Sequence, residues 1–168
     1  MREPEREHRA EARPVHATGI VLGTQGLLFV GPAGSGKTIL ALATIESARR
    51  AGLFAALIGD DQVLIEAHGD VIVARRPPVI GSLAEIRGSG IVPVQSVPAA
   101  VVEIAVRPVA LGQVAFGLEE RIAPPDERAE LAAGLSLPLI RLPYGDGIDP
   151  LVRLKPLIAA TLGQTCGK

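Results

Sequence analysis

The chain has very few aromatic side chains and almost no cysteine. Of its 168 residues three are phenylalanine, one is tyrosine and none is tryptophan, and Cys166 is the single cysteine. One cysteine can form neither a disulfide framework nor a cysteine zinc site within one chain. Platforms that stack nucleic-acid bases need several aromatic rings. The composition therefore argues against a disulfide-rich scaffold, a cysteine zinc site and a protein that stacks nucleic-acid bases.

The chain also lacks an excess of one charge and a long apolar run. Its net charge is −1, which provides no electrostatic attraction to nucleic acid or to an anionic membrane. The longest stretch without a charged residue, 14–36, is broken by polar residues and glycines, which argues against a membrane span. The charged segment 1–14 has no secretory-signal pattern. We therefore expect a cytoplasmic protein with no nucleic-acid and no membrane partner.

The chain is rich in short apolar runs separated by glycine or proline. Hydrophobic residues make up 48% of it, with 19 glycines and 14 prolines. Apolar runs predict strands at 15–22, 27–30, 54–58 and 137–142, and helical spacing predicts a helix over 37–50. Turn residues between 62 and 74 predict a β-hairpin. The fold class is therefore α/β with a mixed sheet, in one domain over residues 15–168 that follows a flexible charged arm, residues 1–14.

Two further helices are expected near the end of the chain. We expect a short helix from Asp126, after a loop that contains two adjacent prolines. A terminal helix is expected over 151–162, and Pro156 should kink or interrupt it because proline has no amide hydrogen to donate.

Residues 31–38 carry the strongest functional signal. Their sequence Gly-Pro-Ala-Gly-Ser-Gly-Lys-Thr fits G-x-x-x-x-G-K-[ST] between a predicted strand and a predicted helix. In such a loop the backbone N–H groups and the helix N-terminus surround phosphate oxygens. Lys37 should reach the β- and γ-phosphates, and Thr38 should offer a hydroxyl to Mg²⁺. The predicted nucleotide-binding residues are Gly31, Pro32, Ala33, Gly34, Ser35, Gly36, Lys37 and Thr38.

Asp60 and Asp61 follow the strand that comes directly after the predicted helix. Ligands of α/β folds collect at this edge of the sheet. One carboxylate could take the proton from an attacking hydroxyl, while the other orients that hydroxyl or holds Mg²⁺. His16 begins an apolar strand that leads into the phosphate loop, and the sequence leaves open whether it is structural or catalytic.

These spacings resemble the HPr kinase/phosphorylase family, bacterial enzymes that phosphorylate and dephosphorylate a serine of the phosphocarrier protein HPr. The most specific match is residues 84–91, Ala-Glu-Ile-Arg-Gly-Ser-Gly-Ile, which resemble the family signature L-E-I-R-G-x-G-I. The resemblance implies a single P-loop domain with an HPr kinase/PEP carboxykinase-like core. Its signature loop comprises Glu85, Ile86, Arg87 and Gly88. The match is weaker at residues 142–146, where the family has a basic turn.

The resemblance also implies roles, cofactors and partners. By it, His16 pairs with Asp60 to activate the HPr serine, Asp61 shares the base role, and Glu85 joins Thr38 at Mg²⁺. Arg121 would bind phosphate in the reverse reaction, and Arg87 would hold the signature loop or contact phosphate. The implied cofactors are ATP and Mg²⁺, with phosphate and pyrophosphate in the reverse direction. The implied partner is an HPr-type phosphocarrier, and the implied assembly is a homo-oligomer, a hexamer in the family.

Two other functions fit part of the sequence. A small-molecule kinase of the shikimate-kinase kind also places acidic residues after the phosphate-loop helix, but the glycine-rich segment 85–91 is a poor match to its arginine-rich substrate site. A non-catalytic ATP-binding regulatory switch would keep the phosphate loop and show negligible turnover.

Overall fold

The computed structural model describes residues 12–78, 82–86, 88–111, 123–124 and 126–165. Its elements in chain order are β1 (Arg13–Val15), β2 (Ala17–Leu22), β3 (Gln25–Val30), α1 (Lys37–Arg50), β4 (Ala55–Gly59), β5 (Val63–His68), β6 (Val71–Arg75), β7 (Leu83–Ile86), β8 (Gly90–Pro93), β9 (Ala99–Val101), β10 (Ile104–Ala110), β11 (Arg128–Ala132), β12 (Leu135–Tyr144) and α2 (Pro150–Thr165).

A six-stranded mixed sheet forms the centre of the fold. Its strand order is β11-β12-β10-β3-β2-β4, with β12, β10 and β3 parallel to one another. Strand β2 runs antiparallel between β3 and β4, and β11 is antiparallel to β12. The parallel strands β3 and β10 end at the same edge of the sheet, so the loop after β3 lies at the edge where α/β folds bind ligands.

Apolar side chains cover both faces of this sheet. On one face Phe29 and Leu27 pack with Leu40 of α1 and Leu154 of α2. On the other face Leu28 and Ile58 pack against β5 and β6 of a second sheet, whose strand order is β1-β5-β6-β9. The fold thus has three layers, helices, mixed sheet and antiparallel sheet. Because α1 is held over the sheet by its buried side, the position of its N-terminus is fixed relative to the strand ends.

The predicted α/β class with a mixed sheet is confirmed, and so is the hairpin, which is β5 and β6. The expected helix from Asp126 is wrong. Residues Arg128–Ala132 form strand β11, in which buried Ala129 lies between exposed Arg128 and Glu130, and β12 pairs with it. Burial alternates from residue to residue at 128–130, as it does in a strand, and the edge of β12 offers hydrogen-bond partners. Both favour a strand over a short helix.

Both ends of the domain differ in detail from expectation. Pro156 lies inside α2 and does not interrupt it. Arg13 and Pro14, the last residues of the predicted arm, belong to β1 and pair with β5, while residues 1–11 lie outside the described part of the chain. Neither helix in the described residues has the length and apolar character that crossing a membrane requires.

A carboxylate between two arginines connects β10 and β12 to the segment before β11. Arg141 donates from Nε to Oε2 of Glu127 at 2.7 Å, and Arg107 donates from Nη1 to Oε1 at 3.1 Å. These hydrogen bonds, that from Arg141 foremost, hold the pKa of Glu127 below its ordinary value of 4.5, while desolvation opposes them. A carboxylate with a lowered pKa stabilises the fold above its unfolded pKa, and this stabilisation disappears as the pH falls through the folded pKa.

Glu127→Gln is therefore expected to lower stability at neutral pH and to have little effect in acid. The loss at pH 7 should be about 1 kcal/mol, since both arginines are partly exposed to solvent. Thermal melts of the wild type and the variant between pH 7 and pH 3 measure the difference. Glu130→Gln, on exposed strand β11, is the matched control. A Glu127→Gln deficit that stays constant down to pH 3 would contradict the assignment.

Candidate active site

The loop between β3 and α1 is shaped by glycines in left-handed backbone conformations. Gly31, Gly34 and Gly36 have φ of +147°, +79° and +90°, values that residues with a Cβ rarely adopt. Gly36 is the N-cap of α1, and neither a side-chain cap nor an acidic residue occupies the first turn. The N-terminal amides and the positive end of the helix dipole are therefore available to an anion.

Lys37 connects the loop to His16, the residue before strand β2. Its side chain is 6% exposed, and Nζ donates to the carbonyl oxygens of Gly31 at 2.9 Å and Pro32 at 3.0 Å. Nζ also lies 3.0 Å from Nε2 of His16. An ammonium group can only donate, so Nε2 accepts and the imidazole carries its proton on Nδ1. The ammonium group of Lys37 therefore lies beside the first two residues of the phosphate loop.

Asp60 is a buried carboxylate with three hydrogen-bond donors from three different elements. Its Oδ1 accepts from the hydroxyls of Thr18 and Thr38, both at 2.8 Å, and its Oδ2 accepts from the backbone N–H of Glu85 at 3.1 Å. The residue is 6% exposed. A buried charge is tolerated when several donors satisfy it. Asp60 consequently ties β2, α1 and β7 together at the end of β4.

Asp61 lies at the surface beside His16. Its φ is +62°, the only positive value of a non-glycine residue in the described part of the chain, and this conformation turns the chain sharply after Asp60. The Nδ1 atom of His16 lies 2.8 Å from the backbone oxygen of Asp61 and 3.2 Å from its Oδ1. The side chains are 49% and 76% exposed. In this structure the histidine therefore contacts Asp61, whereas the resemblance implied a pairing with Asp60.

The signature loop is a small β-hairpin that closes one side of the site. Strands β7 and β8 pair antiparallel around a turn in which Gly88 has a φ of +82°. Ala84 is buried in the core next to the helices, and this anchors the hairpin while Glu85 beside it stays exposed. Arg87 and Arg121, two of the predicted site residues, lie outside the described residues.

These elements surround a cavity of about 330 Å³. Its lining comprises His16, Ala33, Gly34, Gly36, Lys37, Thr38, Ile39, Leu42, Asp60, Asp61, Glu85 and Ile86. The tertiary structure therefore brings together the phosphate loop, both aspartates, the histidine and the signature hairpin. Within the described ranges, no three or more His, Cys, Asp or Glu side chains are grouped as a metal site. Any cation here would take its remaining ligands from a bound phosphate or water.

The sequence reasoning missed Tyr144 at the end of β12. Its hydroxyl donates to the backbone oxygen of Ser35 at 3.1 Å, across 109 positions in sequence. A Cβ on Gly36 would lie 2.8 Å from this hydroxyl and 2.9 Å from the ring carbon that bears it. The only sequence signal was that Tyr144 is the single tyrosine of the chain, in a segment where the family match is weak.

Loop, helix and strand-end carboxylates on a mixed sheet define a P-loop kinase-like domain. Its fold resembles a solved structure of the HPr(Ser) kinase/phosphatase from Coxiella burnetii, with a TM-score of 0.63, 25% sequence identity and coverage of 92% of this chain and 90% of that one. The predicted resemblance to HPr kinase/phosphorylases is therefore confirmed at the level of fold.

Curated relatives support the same resemblance over part of the chain. An HPr kinase/phosphorylase of Mycoplasmopsis pulmonis is 31% identical over 91 residues, 54% of this chain and 28% of the relative. One of Lacticaseibacillus casei is 34% identical over 88 residues, 52% of this chain and 26% of the relative. The aligned part of this chain thus spans little more than a quarter of these relatives' length. No family model matches the chain.

Proposed function

We propose that this chain is an ATP-dependent protein-serine kinase that phosphorylates an HPr-type phosphocarrier protein. The observation that carries the proposal is that one cavity is lined by Lys37, the phosphate loop, both aspartates and the hairpin residue Glu85. Similarity to HPr kinase/phosphorylases in sequence and fold supports the choice of acceptor. Phosphorolysis of phosphoserine-HPr by phosphate, which yields pyrophosphate, is proposed as the reverse activity.

The residues of the loop fit the phosphates of a nucleoside triphosphate. Backbone N–H groups of the loop, other than Pro32, which has none, and Ser35, which donates to the oxygen of Pro32, join the uncapped end of α1 as available donors. Lys37 adds a positive charge beside them. As the serine oxygen attacks the γ-phosphorus, the bond from that phosphorus to the β,γ-bridging oxygen breaks and ADP leaves. Fixed donors near the transferred group stabilise the charge that develops on its oxygens without reorganising.

The residues at the strand end fit a divalent cation and a proton acceptor. The hydroxyl oxygen of Thr38 and the carboxylate oxygens of Glu85 are the ligand type that Mg²⁺ prefers, and bound Mg²⁺ would neutralise charge on the phosphates. Asp60 accepts three hydrogen bonds, and a carboxylate can accept about four, so one lone pair remains for the proton of the substrate hydroxyl. We assign Asp60 as the base, with the exposed Asp61–His16 pair able to share this role.

Further parts of the proposal come from the similarity alone. We propose that Arg121 assists phosphate in the reverse reaction and that Arg87 supports the signature loop. We further propose a cytoplasmic homo-oligomer, a hexamer as the resemblance implies.

A transfer assay tests the function. The purified protein, incubated with ATP, Mg²⁺ and HPr, is expected to add one phosphoryl group to HPr, detected as intact mass and located on serine by peptide mass spectrometry. HPr with that serine replaced by alanine should stay unmodified. Exchanging ATP for inorganic phosphate, with phosphoserine-HPr as substrate, should release pyrophosphate.

Other outcomes would redirect the assignment. Transfer to a free hydroxylated metabolite but not to HPr would indicate a small-molecule kinase of the shikimate-kinase kind. Tight ATP binding without turnover on HPr or on such metabolites would indicate a regulatory switch. Either result would overturn the proposed protein-kinase activity.

A further inference from the structure

Tyr144 contacts the phosphate loop from outside the cavity. Its ring lies against the Cα of Gly36, where a Cβ would come within 2.9 Å of the ring, and its hydroxyl donates to the oxygen of Ser35. Tyr144 is absent from the lining of the cavity that holds Lys37 and Asp60. It lines a separate groove of about 430 Å³ along α1. The tyrosine therefore contacts the loop from outside the cavity predicted to hold the phosphates.

The position of Tyr144 is itself well held. It is the last residue of the ten-residue strand β12, and its backbone oxygen accepts from the N–H of Leu111 at 2.8 Å. Arg153 of α2 donates to the oxygen of Pro143 in the same strand at 2.9 Å and forms an ion pair with Asp146, which follows the strand. The phenol is thus attached to a rigid strand whose end is tied to a helix.

The hydrogen bond constrains a peptide unit that faces phosphate. The carbonyl of Ser35 and the N–H of Gly36 belong to one planar trans peptide, so they point in opposite directions. When Tyr144 holds this carbonyl on the groove side, the N–H of Gly36 is turned away from the groove, and Gly36 itself lines the cavity. Lys37 contacts the carbonyls of Gly31 and Pro32 in the other half of the loop. In the second half of the loop, Tyr144 donates a hydrogen bond to the carbonyl of Ser35.

We propose that Tyr144 is a positioning residue of the phosphate loop, which holds the Ser35–Gly36 peptide in the orientation that binds a polyphosphate. This inference rests on the phosphate site of the proposed function but not on HPr as acceptor. Because Tyr144 touches Gly36, a polyphosphate bound on the other side of that peptide changes the environment of the phenol. Tyr144 is also the only tyrosine in a chain without tryptophan, so its emission reports this one contact.

The test compares the wild type with Tyr144→Phe, which keeps the ring and removes only the hydroxyl. Calorimetric titration with inorganic triphosphate should show about two- to twelve-fold weaker binding by the variant, the range for one lost hydrogen bond. Thr161→Val is the matched control, since it removes a hydroxyl-to-carbonyl bond in α2, to Leu157. Its affinity should equal that of the wild type.

A second measurement uses the wild type alone, so it does not depend on whether the variant folds. Tyrosine emission of the wild type should change saturably with inorganic triphosphate, which does not absorb the exciting light, and half-saturation should match the calorimetric Kd. The emission tests the contact between Tyr144 and the ligand-bound loop, and the Tyr144→Phe affinity tests whether its hydroxyl positions the loop. Emission that does not respond, or a Tyr144→Phe affinity within twofold of the wild type, overturns the inference.

The outcomes separate this inference from the function above. Failure of the wild type to bind triphosphate overturns both. Triphosphate binding that depends on Tyr144, without transfer to HPr, refutes the kinase assignment and leaves the role of Tyr144 standing.

Discussion

Replacing Lys37 with alanine is expected to abolish phosphoryl transfer to HPr. The ammonium group is buried at the loop and is the cation closest to the predicted phosphates among the described cavity residues. One preorganised group that stabilises transition-state charge contributes about 10²–10³-fold to the rate. Lys37 also spans the loop through Gly31 and Pro32, so ground-state binding of the triphosphate should weaken too. We expect the transfer rate to fall by at least about 10³-fold.

The loss should come from slower transfer and weaker triphosphate binding, and not from unfolding. The carbonyls of Gly31 and Pro32 lie near the surface, so water can replace the lost donor, and a thermal melt should change little. Initial rates with ATP, Mg²⁺ and HPr, together with calorimetric triphosphate binding, measure the effect. Lys155→Ala, on the exposed side of α2, is the control and should match the wild type. A Lys37→Ala enzyme within tenfold of the wild-type rate would exclude the proposed site.

Asp60→Asn is expected to remove transfer while nucleotide binding stays nearly intact. The substitution keeps the size of the side chain but removes the charge and the proton acceptor. The asparagine oxygen can still accept from the N–H of Glu85, and the hydroxyls of Thr18 and Thr38 can rotate to accept from its amide. Removal of a general base slows a reaction by about 10²–10⁴-fold, and we expect a decrease in the transfer rate of that size.

A comparison with Asp61→Asn separates the two carboxylates. Asparagine tolerates the left-handed conformation of Asp61, so this variant tests charge without backbone strain, whereas alanine would confound the two. If Asp60 is the base, the Asp61 variant should retain substantially more activity. Asp70→Asn, in the exposed β5–β6 turn, controls for the substitution itself. The reverse ranking, with Asp61→Asn the slower enzyme, would move the base to the exposed Asp61–His16 pair.

The elements that local sequence governs were predictable. Strand β3, the glycine loop and α1 follow from a contiguous motif, because positive φ values and helix spacing depend on neighbouring residues. Strand β11 was not predictable in this way. The sequence after Asp126 is compatible with a helix, and pairing with β12, which nothing in that segment encodes, decides in favour of a strand.

The features of the site also fall into those that the sequence indicated and those that only the tertiary structure determined. The sequence alone indicated that a phosphate loop precedes a helix, that two carboxylates end the next strand, and that a signature loop follows, while the structure showed that this loop is a β-hairpin. Only the tertiary structure decided which side chains meet. It placed His16 on Asp61, made Asp60 the acceptor of three donors, and brought Tyr144 onto Gly36 across 109 positions. Local motifs set backbone conformation, whereas long-range contacts depend on how the packed sheet and helices align the ends of distant strands.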